Sequence, residues 1–256
     1  MIKKLALTTL LTASTLYADT IGGEIFLGIY SHSPSGSASY ETDASIDLEN
    51  DLKWGEEQDI VLKAYIEHPL PFIPNIRLGF TNLSHDGQGT VTAFSWGDII
   101  DIDGDIDSSL DLKMYDVTAY YELLDNVIEV DAGLTLRYLD GDIDVTVTPT
   151  LPFIPVDLPA AEQESVNFST LFPMLYGKVR ANIPMTDISL QGEGNYISDG
   201  DTTLYNYAIS ARYTFAMGLA AEAGYQALHL DSNDLEDGLS ADMDFNGPYA
   251  ALVWDF

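Results

Sequence analysis

Cysteine is absent from the 256 residues. That excludes disulfides, thiol catalysis, cysteine-ligated zinc, iron–sulfur clusters and a lipidated N-terminal cysteine. Positive charge is scarce: 10 Lys+Arg stand against 41 Asp+Glu, a net charge of −31. Nucleic acid is therefore excluded as a partner, because binding a phosphate backbone rests on clustered Lys and Arg. Beyond the N-terminal segment no stretch nears the ~18 apolar residues that a spanning helix needs. The longest, 215–221, is ended by Glu222. No Gly-rich phosphate loop, GxSxG elbow or HExxH pair occurs. A hydrophobic content of 46% nevertheless excludes wholesale disorder.

What is present begins with an address. Lys3 and Lys4 precede the mostly apolar run Leu5–Leu16, and Ala18 supplies a small residue for cleavage. Residues 1–18 thus read as a secretory signal peptide, and 19–256 as one mature domain. A chain that leaves the cytoplasm without a helical anchor can reside in a membrane only as a closed barrel.

Period-two patterning then recurs along the mature chain. Ile128, Val130, Ala132, Leu134, Leu136 and Tyr138 share one face, and Glu129, Asp131, Gly133, Thr135 and Arg137 share the other. A helix would need spacings of three and four. Ten such runs are expected: 20–32, 57–68, 75–86, 108–122, 127–145, 168–183, 187–198, 202–215, 218–231 and 245–256. The fourth slips phase near Met114, which predicts a bulge. Short links, such as 123–126 and 184–186, alternate with long ones at 33–56, 87–107, 146–167 and 232–244. Short turns at one end and long loops at the other predict an all-β, antiparallel, up-and-down transmembrane barrel of about ten strands, with eight or twelve as alternatives. The last strand ends Leu252-Val253-Trp254-Asp255-Phe256. Trp254 and the terminal Phe256 resemble the signal by which outer-membrane barrels are recognised for assembly, which makes the barrel assembly machinery an expected partner.

The few bases decide which face meets lipid. Lys63, Arg77, Lys113, Arg137, Lys178, Arg180 and Arg212 fall on polar strand faces. So do Glu24, Glu67, Glu122, Glu129, Asp131, Glu193 and Glu222. A charge on a lipid face costs roughly 2–4 kcal/mol at mid-membrane. These residues are therefore expected to line the lumen as a structural charge network, or alternatively to form an ion-conducting constriction.

The predicted long loops hold most of the remaining acid, including Asp98, Asp101, Asp103, Asp105 and Asp107. Asp101-x-Asp103-x-Asp105 fails as an EF-hand start, because Gly104 is misplaced and Leu112 stands where the closing Glu belongs. The repeated DGDID at 103–107 and 140–144 fits exposed strand extensions better. Solvated acidic surface is the plain reading; bridging to outer-membrane lipids and lipopolysaccharide through divalent cations is the sharper one. For catalysis, His85 beside Ser84 and Asp86, His32 between Ser31 and Ser33, and His229 near Asp231 supply the residue types of a rim hydrolase. Any chain so rich in Asp and Ser would do so. No catalytic residue, metal ligand or cofactor is assigned.

The chain resembles a family of small outer-membrane β-barrel proteins of Gram-negative bacteria that are described by location. The resemblance rests on Ile21-Gly22-Gly23-Glu24, Ser45–Leu52, Ile66-Glu67-His68-Pro69, Tyr115-Asp116 and Tyr120–Asn126. It continues through Leu136-Arg137-Tyr138, Pro173–Gly177, Gly192-Glu193-Gly194-Asn195 and Gly247-Pro248-Tyr249-Ala250. It covers essentially all of 19–256, implies a barrel in the cell outer membrane, and carries over no catalytic residues. The function expected is a porin-like shell with a charge-filled lumen and a structural or surface-interaction role. A narrow cation-preferring channel and a rim-located hydrolase are the alternatives.

Overall fold

The computed structural model describes residues 22–42, 44–70, 72–150 and 160–256. The expected signal peptide lies outside them. Strands β1 (Gly22–Tyr40), β2 (Ile46–Asp47), β3 (Glu57–Glu67), β4 (Asn75–Trp96), β5 (Ile99–Leu124) and β6 (Ile128–Pro149) are followed by β7 (Glu162–Asn182), β8 (Ile188–Ser198), β9 (Thr202–Thr214), β10 (Leu219–Glu236) and β11 (Leu239–Asp255). They form one antiparallel sheet of 11 strands, which the β11–β1 pairing closes into a ring. Two-residue β2 pairs only with β1 among the described residues, so the ring itself has ten staves. Both ends of the ring meet at one rim, the inner mouth, where Gly23 and Phe256 exchange backbone hydrogen bonds of 3.0 and 2.9 Å.

An apolar band wraps the outside. On β6, Ile128, Leu134, Leu136 and Tyr138 point outward and are exposed. From Ile128 to Tyr138 the strand advances ten steps, about 26 Å along the barrel axis at ordinary rise and tilt, which matches the hydrocarbon thickness of an outer membrane. Aromatic rings mark both edges: Phe80, Tyr115 and Tyr138 share one outer rung, while Tyr121, Phe215 and Trp254 stand exposed near the inner mouth.

Beyond that band the strands continue. Most of the expected loops at 87–107 and 232–244 are strand, joined by tight turns at 97–98 and 237–238. The reason is a change of solvent. Within the membrane the outward face is apolar; above it the outward face meets water and the inward face becomes the greasy one. On β5 the inward residues run Leu110, Leu112, Met114, then Asp116, Thr118 and Tyr120. The register with β4 and β6 is unbroken at Met114. The apparent phase slip there is thus an exchange of environments, and the expected bulge is absent; the irregularities of β5 lie elsewhere, at its two ends. The DGDID repeats sit on these extensions, with Ile106 and Ile143 buried and the neighbouring aspartates turned outward.

Candidate functional site: the barrel interior

The interior has an ionic lower storey and an apolar upper one. In the lower storey Glu193 of β8 is buried and central. It accepts hydrogen bonds from Tyr65 Oη (3.0 Å), Tyr176 Oη (3.2 Å) and Lys63 Nζ, and Arg77 Nε lies 2.8 Å from it as an ion pair. Lys63 is on β3. In the ring order β1-β3-β4-β5-β6-β7-β8-β9-β10-β11, β3 and β8 are five staves apart, so this pair spans the full diameter. A second pair does the same: Arg180 of β7 donates to Glu24 of β1 at 3.0 Å.

Around these two crossings the remaining charges are tied laterally. Arg212 holds Glu24 through two bonds of 2.7 and 2.8 Å and Glu222 through Nε at 2.8 Å. Tyr249 donates to Glu222 at 2.7 Å. Arg137 grips Asp116 with Nε and Nη2 at 2.7 and 2.8 Å, the fork geometry that favours arginine. Lys178 lies 3.7 Å from Asp131 and 4.5 Å from the Tyr65 ring centre. Tyr120 donates to Glu67 at 3.0 Å, and Glu129 pairs with Arg180 at 3.4 Å. Thr118, Thr135, Asn195 and Asn206 add a neutral hydrogen-bonded chain. At the inner mouth a cavity of about 380 Å³ is bordered by Glu67, Glu122, Glu129, Asp131, Lys178 and Arg180.

Of the sequence-assigned lumen residues, Lys113 is displaced. It points outward beside Tyr115 and pairs with Asp111 at 2.7 Å on the exposed surface. The environment exchange on β5 explains this, since Lys113 lies just above the apolar band. Glu122 is exposed at the inner mouth. Asp116 was missed by sequence reading, although the alternation Asp116, Thr118, Tyr120 signals its side once the strand is read as unbroken.

In the upper storey the segment between β2 and β3 folds into the barrel. Leu48, Leu52 and Trp54 are buried against Leu110, Leu112, Ile143, Phe168 and Phe245. Gly87 permits this: a Cβ there would sit 1.9 Å from the Leu52 carbonyl oxygen. Ser108 Oγ receives a 3.1 Å bond from Trp54 Nε1 and donates to the Leu52 carbonyl.

Two histidines lock this segment. His32 Nδ1 is 3.1 Å from His85 Nε2, His32 Nε2 is 3.1 Å from Asp59 Oδ2, and His85 Nδ1 donates to the Gly55 carbonyl at 2.9 Å. The His85 ring lies between Trp54 and Phe245, stacked on each. Both imidazoles are almost wholly buried. Burial is the largest influence on each: it holds His32 below the ordinary value and pushes His85 down to about 4. The sequence pairing of His85 with Ser84 and Asp86 is not realised, because neighbours on a strand face opposite sides. His32 likewise turns away from Ser31 and Ser33. His68 closes the turn before β4 through Asn75 and the Pro74 carbonyl.

No protein-family model and no curated protein sequence matches the chain. Among solved structures it is similar to the outer membrane protease OmpT from Escherichia coli, at 14% identity and TM-score 0.50, covering 93% of this chain and 97% of that one. It is also similar to the translocator domain of autotransporter NalP from Neisseria meningitidis, at 10% identity and TM-score 0.49, covering 100% and 96%. The first likeness agrees with the fold seen here. That fold and the encircling apolar band together make the chain an integral β-barrel of the cell outer membrane.

Proposed function

We propose that this barrel is closed to bulk flow and serves as a structural or surface-interaction element of the outer membrane. The observation that carries the reading is the pair of ion bridges across the full diameter, Lys63–Glu193 and Arg180–Glu24. The apolar upper storey adds a second seal. The acid-rich outer extensions then engage lipopolysaccharide through divalent cations, since hard cations take oxygen ligands and few bases are available to meet phosphate directly.

Purified full-length protein in planar bilayers tests the closed lumen. Absence of steady conductance is expected. A stable, cation-selective conductance would replace this reading with a narrow channel, the alternative favoured by the acidic cavity at the inner mouth. Of the histidines offered for a rim hydrolase, His32 and His85 are buried with both nitrogens of each ring engaged, and His229 stands beside Asp244 on the outer wall, away from the lumen.

A further inference from the structure

We infer that His229, Asp244 and Asp242 form a binding site for a divalent transition-metal ion of the zinc class on the outer wall of the barrel. His229 of β10 lies directly across from Asp244 of β11, and the next outward rung pairs Asp231 with Asp242. His229 Nδ1 is 3.0 Å from Asp244 Oδ1 and 4.0 Å from Asp242 Oδ1. One ligand atom from each of the three residues fits within 4.8 Å of the others. Ligands bound at about 2.0–2.2 Å to one ion lie roughly 3.0–3.5 Å apart. A small rotation of the exposed Asp242 side chain completes that geometry.

Three features separate this group from acidic surface in general. The first is the imidazole, which suits zinc, nickel or copper and is not a ligand that calcium or magnesium selects. Its ring packs on Tyr205, centroids 4.9 Å apart, and this contact supports the ring from the β9 side while Nδ1 faces the carboxylates. The second is rigidity. All three residues sit on paired strands, with Ser35 and Ser37 of β1 flanking the aspartates on the other side, so little ordering entropy remains to be lost on binding. The third is uncompensated repulsion. Asp231 and Asp242 are like charges directly across a strand pair, an unfavourable arrangement. Among the described residues no Lys or Arg pairs with Asp231, Asp242 or Asp244. A divalent ion relieves that repulsion. His229 lies four residues beyond Tyr225, the last exposed aromatic of β10, and level with Tyr205 of β9, so the group stands at the outer edge of the apolar band with Asp242 exposed to water. Three protein ligands on a convex wall leave the remaining coordination positions to solvent.

The experiment titrates ZnCl₂ into chelator-washed, full-length barrel in detergent micelles, with excess Ca²⁺ present to occupy diffuse carboxylates. One Zn²⁺ per chain is expected, with affinity weakened about tenfold or more in His229→Ala and in Asp244→Asn. Asp103→Asn, an exposed acid elsewhere on the extension, leaves it unchanged. Co²⁺ binding to the unaltered protein should give a visible absorption band that His229→Ala removes; this readout needs no comparison of variant stabilities. The inference is overturned if Ca²⁺ abolishes zinc uptake, if His229→Ala binds as tightly as the parent, or if Asp103→Asn weakens binding as much as Asp244→Asn.

Discussion

His32 Nδ1 and His85 Nε2 face each other at 3.1 Å, while the outer nitrogens of the two rings address Asp59 and the Gly55 carbonyl. Two neutral imidazoles carry two N–H groups, and this row of contacts has three positions for a proton. All three are filled only when the row holds one proton more than two neutral rings and a carboxylate. Burial works against that proton.

The pH dependence follows from the burial. His85 is lowered to about 4, and His32 is lowered in the same direction. Between about 6.5 and about 4 an unfolded chain takes up the proton and the folded chain does not, so stability falls as pH drops through that window. For His85 the gap corresponds to about 3 kcal/mol. Comparing the urea midpoint of the micellar barrel at pH 7 and pH 5 with that of His85→Gln isolates this contribution, because every other group titrates in both. On acidification the parent is expected to lose more stability, or gain less, than the variant. An equal change in the two contradicts the assignment.

Glu193 is the common acceptor for Lys63, Arg77, Tyr65 and Tyr176. Glu193→Gln takes the carboxylate from Lys63, leaves Arg77 only its longer contact to Asp116 at 3.5 Å, and costs roughly 3–5 kcal/mol. Removing the diametric pair together, as Lys63→Met with Glu193→Leu, is expected to cost less than the sum of the single changes. A double-variant cycle on unfolding midpoints reads the difference.

Position along one strand separates lipid from water. Leu134 and Asp140 both point outward on β6, one inside the apolar band and one above it. Leu134→Arg is expected to cost roughly 2–4 kcal/mol. Asp140→Arg, which sets a second base directly across from Lys113 above the band, should cost less than about 1 kcal/mol. Equal costs would undo the placement of the band.

Trp54 anchors the inserted segment, stacked on His85 and bonded to Ser108. Trp54→Ala removes a buried indole, at roughly 3–5 kcal/mol. Because the chain has no cysteine, a single Cys at Leu110 reports the opening without background. Its labelling by a water-soluble maleimide is expected to be slow in the parent and fast beside Trp54→Ala.

Phe256 exchanges two backbone bonds with Gly23 and leaves its ring exposed. Its neighbours are Gly23 and Trp254, the latter at 5.1 Å between ring centres, and the rest of the ring is open to the assembly machinery that the sequence leads one to expect. Phe256→Ala should slow membrane insertion in cells while leaving the unfolding midpoint of refolded barrel nearly unchanged. A large loss of midpoint would assign the ring to the fold instead.

How far the sequence could be read follows the solvent boundaries. On β6 the alternation from Ile128 to Tyr138 is clean because lipid and lumen stay on fixed sides. At Leu139 the apolar side changes, and β6 runs on to Pro149, past the end expected at 145. Lys113 was misassigned by the same exchange on β5. The lumen bases Arg137, Arg180 and Arg212 were legible because few other solutions exist for a cation in a membrane. Their partners were not: Glu24 and Arg180 are distant in sequence and meet only through ring closure, which no local pattern encodes. The His32–His85 contact was hidden for the same reason, and the neighbouring serines offered a false lead.

The two diametric bridges behave as spokes. A hoop of ten staves held only at its circumference flattens easily when lateral pressure from the bilayer changes. Spokes crossing near the hub resist that ovalisation at each point they touch. They also cannot be fitted until opposite staves stand face to face, so the charged hub remains hydrated throughout assembly and dries last.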